Sequence, residues 1–240
     1  MTSFRKNVLR PSSQEDVNRF LKKVRSSALP IRRDQRARLI FGMDATASRE
    51  PLWDRACHIQ AQMFEATAAM GGIEIQLAYY RGYGEFKAAP WAAEAEILQK
   101  RMTSIRCAAG QTQITRLLQH ALGQARHNQG SVSALVFVGD CMEEDPDQLA
   151  ELAGQLRILD VPMFLFQDGA DPTAGKTFSH IARLTRGAHC RFDGNSAAQL
   201  RDLLCAVAVY AAGGRKALVD HGRRHGGEVL RLIAQLDNRG

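Results

Sequence analysis

The chain has 240 residues, 45% hydrophobic and 24% charged, with a formal net charge of +7. That is ordinary globular composition, enough for one sizeable core. Its five cysteines (Cys57, Cys107, Cys141, Cys190 and Cys205) form no CxxC pair, which excludes a zinc ribbon and gives no sign of a disulfide framework.

The charge is unevenly spread. Residues 1–38 hold eleven Lys and Arg against three Asp and Glu, while the remainder is nearly balanced. The basic character therefore belongs to an N-terminal arm, which suits either a solvated extension or contact with an anionic partner such as nucleic acid. Only Phe4 and Phe20 interleave the basic residues, too few for stacking on single strands. The first twenty residues lack the apolar stretch of a secretory signal, and the longest apolar run, "LLCAVAVYAAGG", is too short to span a bilayer. These features lead us to expect a soluble, cytoplasmic protein.

In chain order, "SSQEDVNRFLKKVRSS" (12–27) predicts a short helix with acids early and cations late, followed by a linker. "RLIFGMD" (38–44) predicts a buried strand. A long helix follows over "REPLWDRACHIQAQMFEATAAMGG", with Leu52, Trp53, Ala56, Ile59, Met63 and Phe64 as its apolar face. "IEIQLAYYRG" (73–82) predicts a second strand. "YGEFKAAPW" suits a short edge strand, because it carries Pro90 and charges. "AAEAEILQKRMTSIRCAAG" is expected to be helical throughout, and another helix is expected from Thr112 to Gly130.

"VSALVFVGD" (132–140) is the most strand-like run. A helix with Pro146 in its first turn follows, then a strand over 161–169. "TAGKTFSHIARLTRG" predicts a helix and "AHCRFDG" a short strand. A closing helix, capped by Ser196, is expected to stop at Gly213-Gly214. This alternation of strand and helix predicts an α/β fold with an open, mostly parallel sheet covered on both faces. The expected organisation is a basic N-terminal helix and linker (1–35), one α/β domain (36–214) and a basic helical tail (215–240).

Ligands of such sheets sit outside the carboxyl ends of the strands. The first strand leaves Asp44, Thr46 and Ser48 there. "AGQT" leaves Thr112, and "VFVGD" leaves Asp140, followed by Glu143, Glu144 and Asp145, which suit the first turn of the next helix. Two carboxylates and three hydroxyls form an all-oxygen set of the kind that Mg²⁺ takes in an octahedron. Ser48 and Thr112 are also placed to cap helices. Cys141 is either a reactive rim thiol or a small buried residue.

D-x-T-x-S after a first apolar strand, a Thr in a later G-x-T turn and an Asp ending a later strand resemble the metal-ion-dependent adhesion site of von Willebrand factor A (VWA) domains. The resemblance covers about residues 36–214. It implies a Rossmann-like fold whose cation (Mg²⁺, or Mn²⁺ or Ca²⁺) is held by Asp44, Thr46, Ser48, Thr112 and Asp140. It also implies a protein partner that contributes a carboxylate to the metal. Here Thr46 replaces the commoner Ser, "GQT" replaces "GGT", and "GDCMEED" replaces "TDG", while Arg49 directly follows the first motif.

A second reading is a Mg²⁺-dependent hydrolase or phosphotransferase on a similar sheet. The chain has no D-x-D-x-T signature and no nucleophile–base pair that would favour catalysis. The seven histidines show no metal spacing, and "HGRRH" in the tail reads as solvated. "GADPTAGKT" (169–177) ends like a phosphate-binding loop but has five residues between its glycines where that loop has four.

Overall fold

The first apolar run is the centre of the sheet. The computed structural model describes residues 36–49, 72–127, 132–192 and 197–224. In it, β1 spans Ala37–Asp44 and pairs in parallel with β2 (Ile73–Arg81) on one side and β4 (Val132–Gly139) on the other. Beyond β4 lie β5 (Met163–Asp168) and β6 (Ala188–Phe192), both parallel, while β3 (Glu85–Ala88) pairs antiparallel with β2. The order across the sheet is β3-β2-β1-β4-β5-β6. The charged "EFKA" segment thus lies at an edge, where charge discourages pairing with other chains.

Alternate residues of each strand feed two cores. Leu39, Phe41, Met43, Ile75, Leu77, Val136 and Phe164 face α1 (Ala95–Thr103) and α5 (Ala197–Arg224), meeting Leu98, Met102, Val207 and Tyr210. Ile40, Leu135, Phe137 and Leu165 face α2 (Ile114–His127), α3 (Pro146–Ile158) and α4 (Pro172–Leu184), meeting Leu118, Leu149, Leu156, Phe178 and Ile181. The strands are apolar on both faces because helices cover both. Each fully buried Leu, Ile or Phe contributes about 1.5–3 kcal/mol of transfer free energy.

Gly42 sets the distance between β1 and α2. A Cβ at this position would lie 2.5 Å from a methyl of Leu117 and 3.2 Å from the Val136 carbonyl, so only a hydrogen side chain admits the helix this closely.

Three expected boundaries move. α1 stops at Thr103, and residues 104–110 are a loop: the Thr103 hydroxyl donates to the Gln99 carbonyl at 3.0 Å and the Ser104 hydroxyl to Arg101 at 2.7 Å, local bonds that compete with helix propagation. α2 starts at Ile114, two residues after Thr112. α5 runs through Gly213 and Gly214 to Arg224. Neither glycine adopts a positive φ, so the pair lowers helix propensity by about 1 kcal/mol per residue without ending the helix. The helices expected over 12–27 and 49–72, the Ser196 cap and residues 225–240 lie outside the described residues.

Candidate functional site

The strand order reverses between β1 and β4, the point where an open parallel sheet leaves a crevice at its carboxyl edge. Asp44 ends β1, and Asp140 follows β4. Asp44 is 1% exposed, and its Oδ1 accepts a hydrogen bond from the Thr46 amide at 2.8 Å. The aspartate thereby holds the turn that presents the hydroxyls. Backbone bonds fix the same turn: the Ala45 amide donates to Tyr80 at 2.9 Å, and the Ala108 amide donates to Ala45 at 3.0 Å.

The hydroxyls of Thr46 and Ser48 lie 3.3 Å apart, and Ser48 Oγ donates to Asp140 Oδ2 at 2.9 Å. Asp44, Thr46, Ser48 and Asp140 thus form one hydrogen-bonded series across the β1–β4 crevice. Ser48 lies inside a short 3-10 turn, Ala47–Arg49.

Thr112 takes a different set of contacts. Its amide donates to Glu143 Oε2 at 3.1 Å, its hydroxyl donates to Glu144 Oε2 at 2.6 Å, and that hydroxyl accepts from the Glu143 amide at 3.0 Å. Gly110 allows this placement: a Cβ there would overlap the Gly82 carbonyl at 2.1 Å, so a side chain would push the "GQT" turn off the end of β2. Glu144 Oε1 also accepts from the Thr115 amide at 2.9 Å.

Glu143 and Glu144 are therefore not first-turn acids of the helix that follows them. They precede α3, and Glu144 caps the start of α2. Asp145 is the residue that caps α3, accepting from the Asp147 amide at 2.9 Å.

Tyr80 and Cys141 show how the carboxylates group. Tyr80 is buried, and its hydroxyl is pushed well above its ordinary pKa by desolvation, then by the Asp44 and Glu144 carboxylates. The Cys141 thiol is pushed up to about 12, by desolvation first and then by Asp140, with Asp44 and Glu143 adding to it. A thiol held so far towards its protonated form is not a reactive nucleophile. Tyr80 thus feels both Asp44 and Glu144, and Cys141 feels Asp140, Asp44 and Glu143. Tyr80 was not singled out from the sequence, because an aromatic residue near a strand end reads as core.

Among the described residues, no group of three or more His, Cys, Asp and Glu side chains is arranged to hold a metal ion. The hydrogen-bonded series brings together two aspartates and the hydroxyls of Thr46 and Ser48, oxygen donors of the type that suits a hard cation, while Thr112 bonds to Glu143 and Glu144. The Ser48 hydroxyl directs its proton to Asp140 and so accepts from Thr46, which leaves one lone pair for such an ion. By donor chemistry alone, Asp44, Thr46, Ser48 and Asp140 are compatible with a divalent cation. The side chain of Arg49 lies outside the described residues.

No protein-family model matches the chain, and no curated protein matches its sequence. Solved structures do resemble it. The SpRpn10 VWA domain aligns with a TM-score of 0.58 and 12% identity, over 71% of this chain and 94% of that one. A von Willebrand factor type A protein from Catenulispora acidiphila aligns with a TM-score of 0.59 and 14% identity, over 75% of this chain and 43% of that one. BatB from Bacteroides thetaiotaomicron aligns with a TM-score of 0.55 and 13% identity, over 71% and 97%. At such identities the likeness is one of fold. With a mostly parallel six-stranded sheet, helices on both faces and a crevice where the strand order reverses, this chain has the fold of a von Willebrand factor A domain.

Proposed function

We propose that this protein is a protein-interaction module that binds a divalent cation, Mg²⁺ in the first instance, at the carboxyl rim of its sheet. Asp44 and Asp140 supply the charge, and Thr46, Ser48 and Thr112 supply neutral oxygens. The cation, when bound, offers a Lewis-acidic position to a carboxylate of a partner protein. The observation that carries this reading is the 2.9 Å hydrogen bond between Ser48 and Asp140, which draws the β1 turn and the end of β4 to one place. The VWA-like fold supports an interaction role. The three hydroxyls add no charge to the site, so with two carboxylates the set balances a divalent cation without overcompensating it, and an open coordination position can take an oxygen of an external acid.

The Glu144–Thr112 contact fits the same reading. Glu144 keeps the Thr112 hydroxyl oriented at the rim, and it is itself held by the start of α2. We assign the protein to the cytoplasm. The described cysteines, Cys107, Cys141, Cys190 and Cys205, are thiols, and no described helix is long and apolar enough to cross a membrane.

Calorimetric titration with Mg²⁺ and with Mn²⁺ tests the proposal. The parent protein binds, and Asp44→Ala does not. Equal heats from the two proteins would refute it. A pull-down with and without a chelator then tests the partner: a protein retained only in the absence of chelator is the expected result.

A further inference from the structure

Apart from the β1–β4 crevice, a groove of about 580 Å³ runs between α4 and β6. Lys176, His180 and Arg183 line it from α4, at positions i, i+4 and i+7 of one helical face. His189 and Arg191 line it from β6, at alternate positions on one side of the strand. Asp171 lies at the start of α4, where its carboxylate accepts from the Ala174 amide at 2.6 Å and caps the helix. Among the described residues lining the groove there are three permanent cations, two imidazoles and one acid, and that acid caps the helix.

Basic side chains of the described surface divide into ion-paired ones and others, such as Arg116 and Arg126, that bond carbonyl or amide oxygens instead. Arg38, Arg81, Arg157 and Arg201 each hold a carboxylate at 2.8–3.2 Å. No such ion pair holds Lys176 or Arg183 among the described residues.

The donors are also positioned in advance. Arg183 Nη2 donates to His180 Nδ1 at 2.9 Å. Arg191 donates from Nε and Nη2 to the Gly169 carbonyl at 3.2 and 3.0 Å. His189 Nε2 lies 3.2 Å from Gln167 Oε1, and its ring stands edge-on to Phe178 with centroids 6.1 Å apart. Side chains already held in place lose less entropy when a ligand arrives.

We infer that this groove binds a small, multiply phosphorylated molecule. The volume lies in the range of small-molecule sites, and guanidinium groups match phosphate oxygens in geometry and charge. The phosphates lie along the Lys176–Arg183 face rather than at the start of α4, where the Asp171 carboxylate takes the place an anion would need. Gly175 and Lys176 are in the helix, so Lys176 projects into the groove from the side. The same Asp171 carboxylate would repel an extended acidic peptide leaving by that end, which favours a compact ligand.

The test is an NMR titration of the full ¹⁵N-labelled chain with inorganic pyrophosphate and with ATP, without Mg²⁺. Amide shifts are expected within 171–191 and not at 44–48. The affinity falls as salt rises, because the contacts are charged and partly exposed. Lys176→Glu, at an exposed position, weakens binding by about tenfold or more, as does Arg183→Glu, whereas Lys100→Glu on α1 leaves it unchanged. Unchanged affinity in Lys176→Glu, or shifts confined to the N-terminal arm, would overturn the inference. Binding of a poly-glutamate peptide with no response to pyrophosphate would overturn it in favour of protein docking.

Discussion

Ser48 Oγ donates a 2.9 Å hydrogen bond to Asp140 Oδ2, joining residues 92 positions apart in the chain. The bond spans the two strands at which the sheet reverses its order. It sets the relative positions of the carboxylates at the ends of β1 and β4.

Ser48→Ala removes this bond and one candidate ligand together. Loss of a hydrogen bond to a charged acceptor costs about 1.5–3 kcal/mol, so Mg²⁺ affinity should fall by about 10–100-fold. Calorimetry reads this directly. Asp44→Ala goes further and abolishes the heat, because it also releases the Thr46 amide that holds the turn.

Glu144→Ala should destabilise the fold even without metal. The Thr115 amide and the Thr112 hydroxyl lose their acceptors together, and loss of a helix cap alone costs about 0.5–2 kcal/mol. Glu144→Gln keeps one carbonyl acceptor and should recover part of the loss. Urea unfolding of the three proteins in chelator measures it, and an unaltered midpoint in Glu144→Ala would contradict the capping role.

Gly42→Ala should cost about 1–3 kcal/mol, the usual cost of forcing an extra carbon into a filled core. The new Cβ meets Leu117 at 2.5 Å, so Leu117→Ala in the same chain should restore part of what was lost. A double-mutant cycle on unfolding free energies reads the coupling, and additive effects would show that the clash is not with Leu117.

His120 gives the fold an acid limit. It is half-buried, its Nε2 lies 2.7 Å from Gln76 Oε1 and its ring packs beside Phe86, with centroids 5.6 Å apart. Desolvation lowers its pKa from the ordinary 6.5. Below pH 6.5 the unfolded chain therefore takes up a proton before the folded one does. Stability present above that pH is lost as the pH falls through the lowered folded value. His120→Gln should flatten this part of the profile, measured by denaturant unfolding at a series of pH values.

Much of the architecture was legible because apolar runs ending in turn residues have one economical arrangement. "RLIFGMD", "VSALVFVG" and "MFLFQD" can bury both faces only inside a parallel sheet, and the intervening amphipathic segments supply the cover. Helix ends were less legible. Thr103 and Ser104 end α1 through local hydroxyl bonds that composition does not reveal, while Gly213 and Gly214 sit within α5 where isolated glycines would read as a stop.

At the rim, the sequence picked out Asp44, Thr46, Ser48, Thr112 and Asp140 by residue type and by position at strand ends. It also offered Glu143 and Glu144 as first-turn acids of the next helix, and that was misplaced. Their carboxylates reach across to Thr112 and Thr115, a contact 29–32 residues distant that no local pattern encodes.

The sequence by itself determined the fold class, the strand order of chemistry along the chain and the oxygen-rich character of the rim, because hydrophobic period and side-chain type are local properties. Only the tertiary structure decided which oxygens meet, which acids cap which helix and where the basic side chains of α4 and β6 converge. Those relations depend on strand register and helix approach, and single hydrogen-sized gaps such as Gly42 and Gly110 set them.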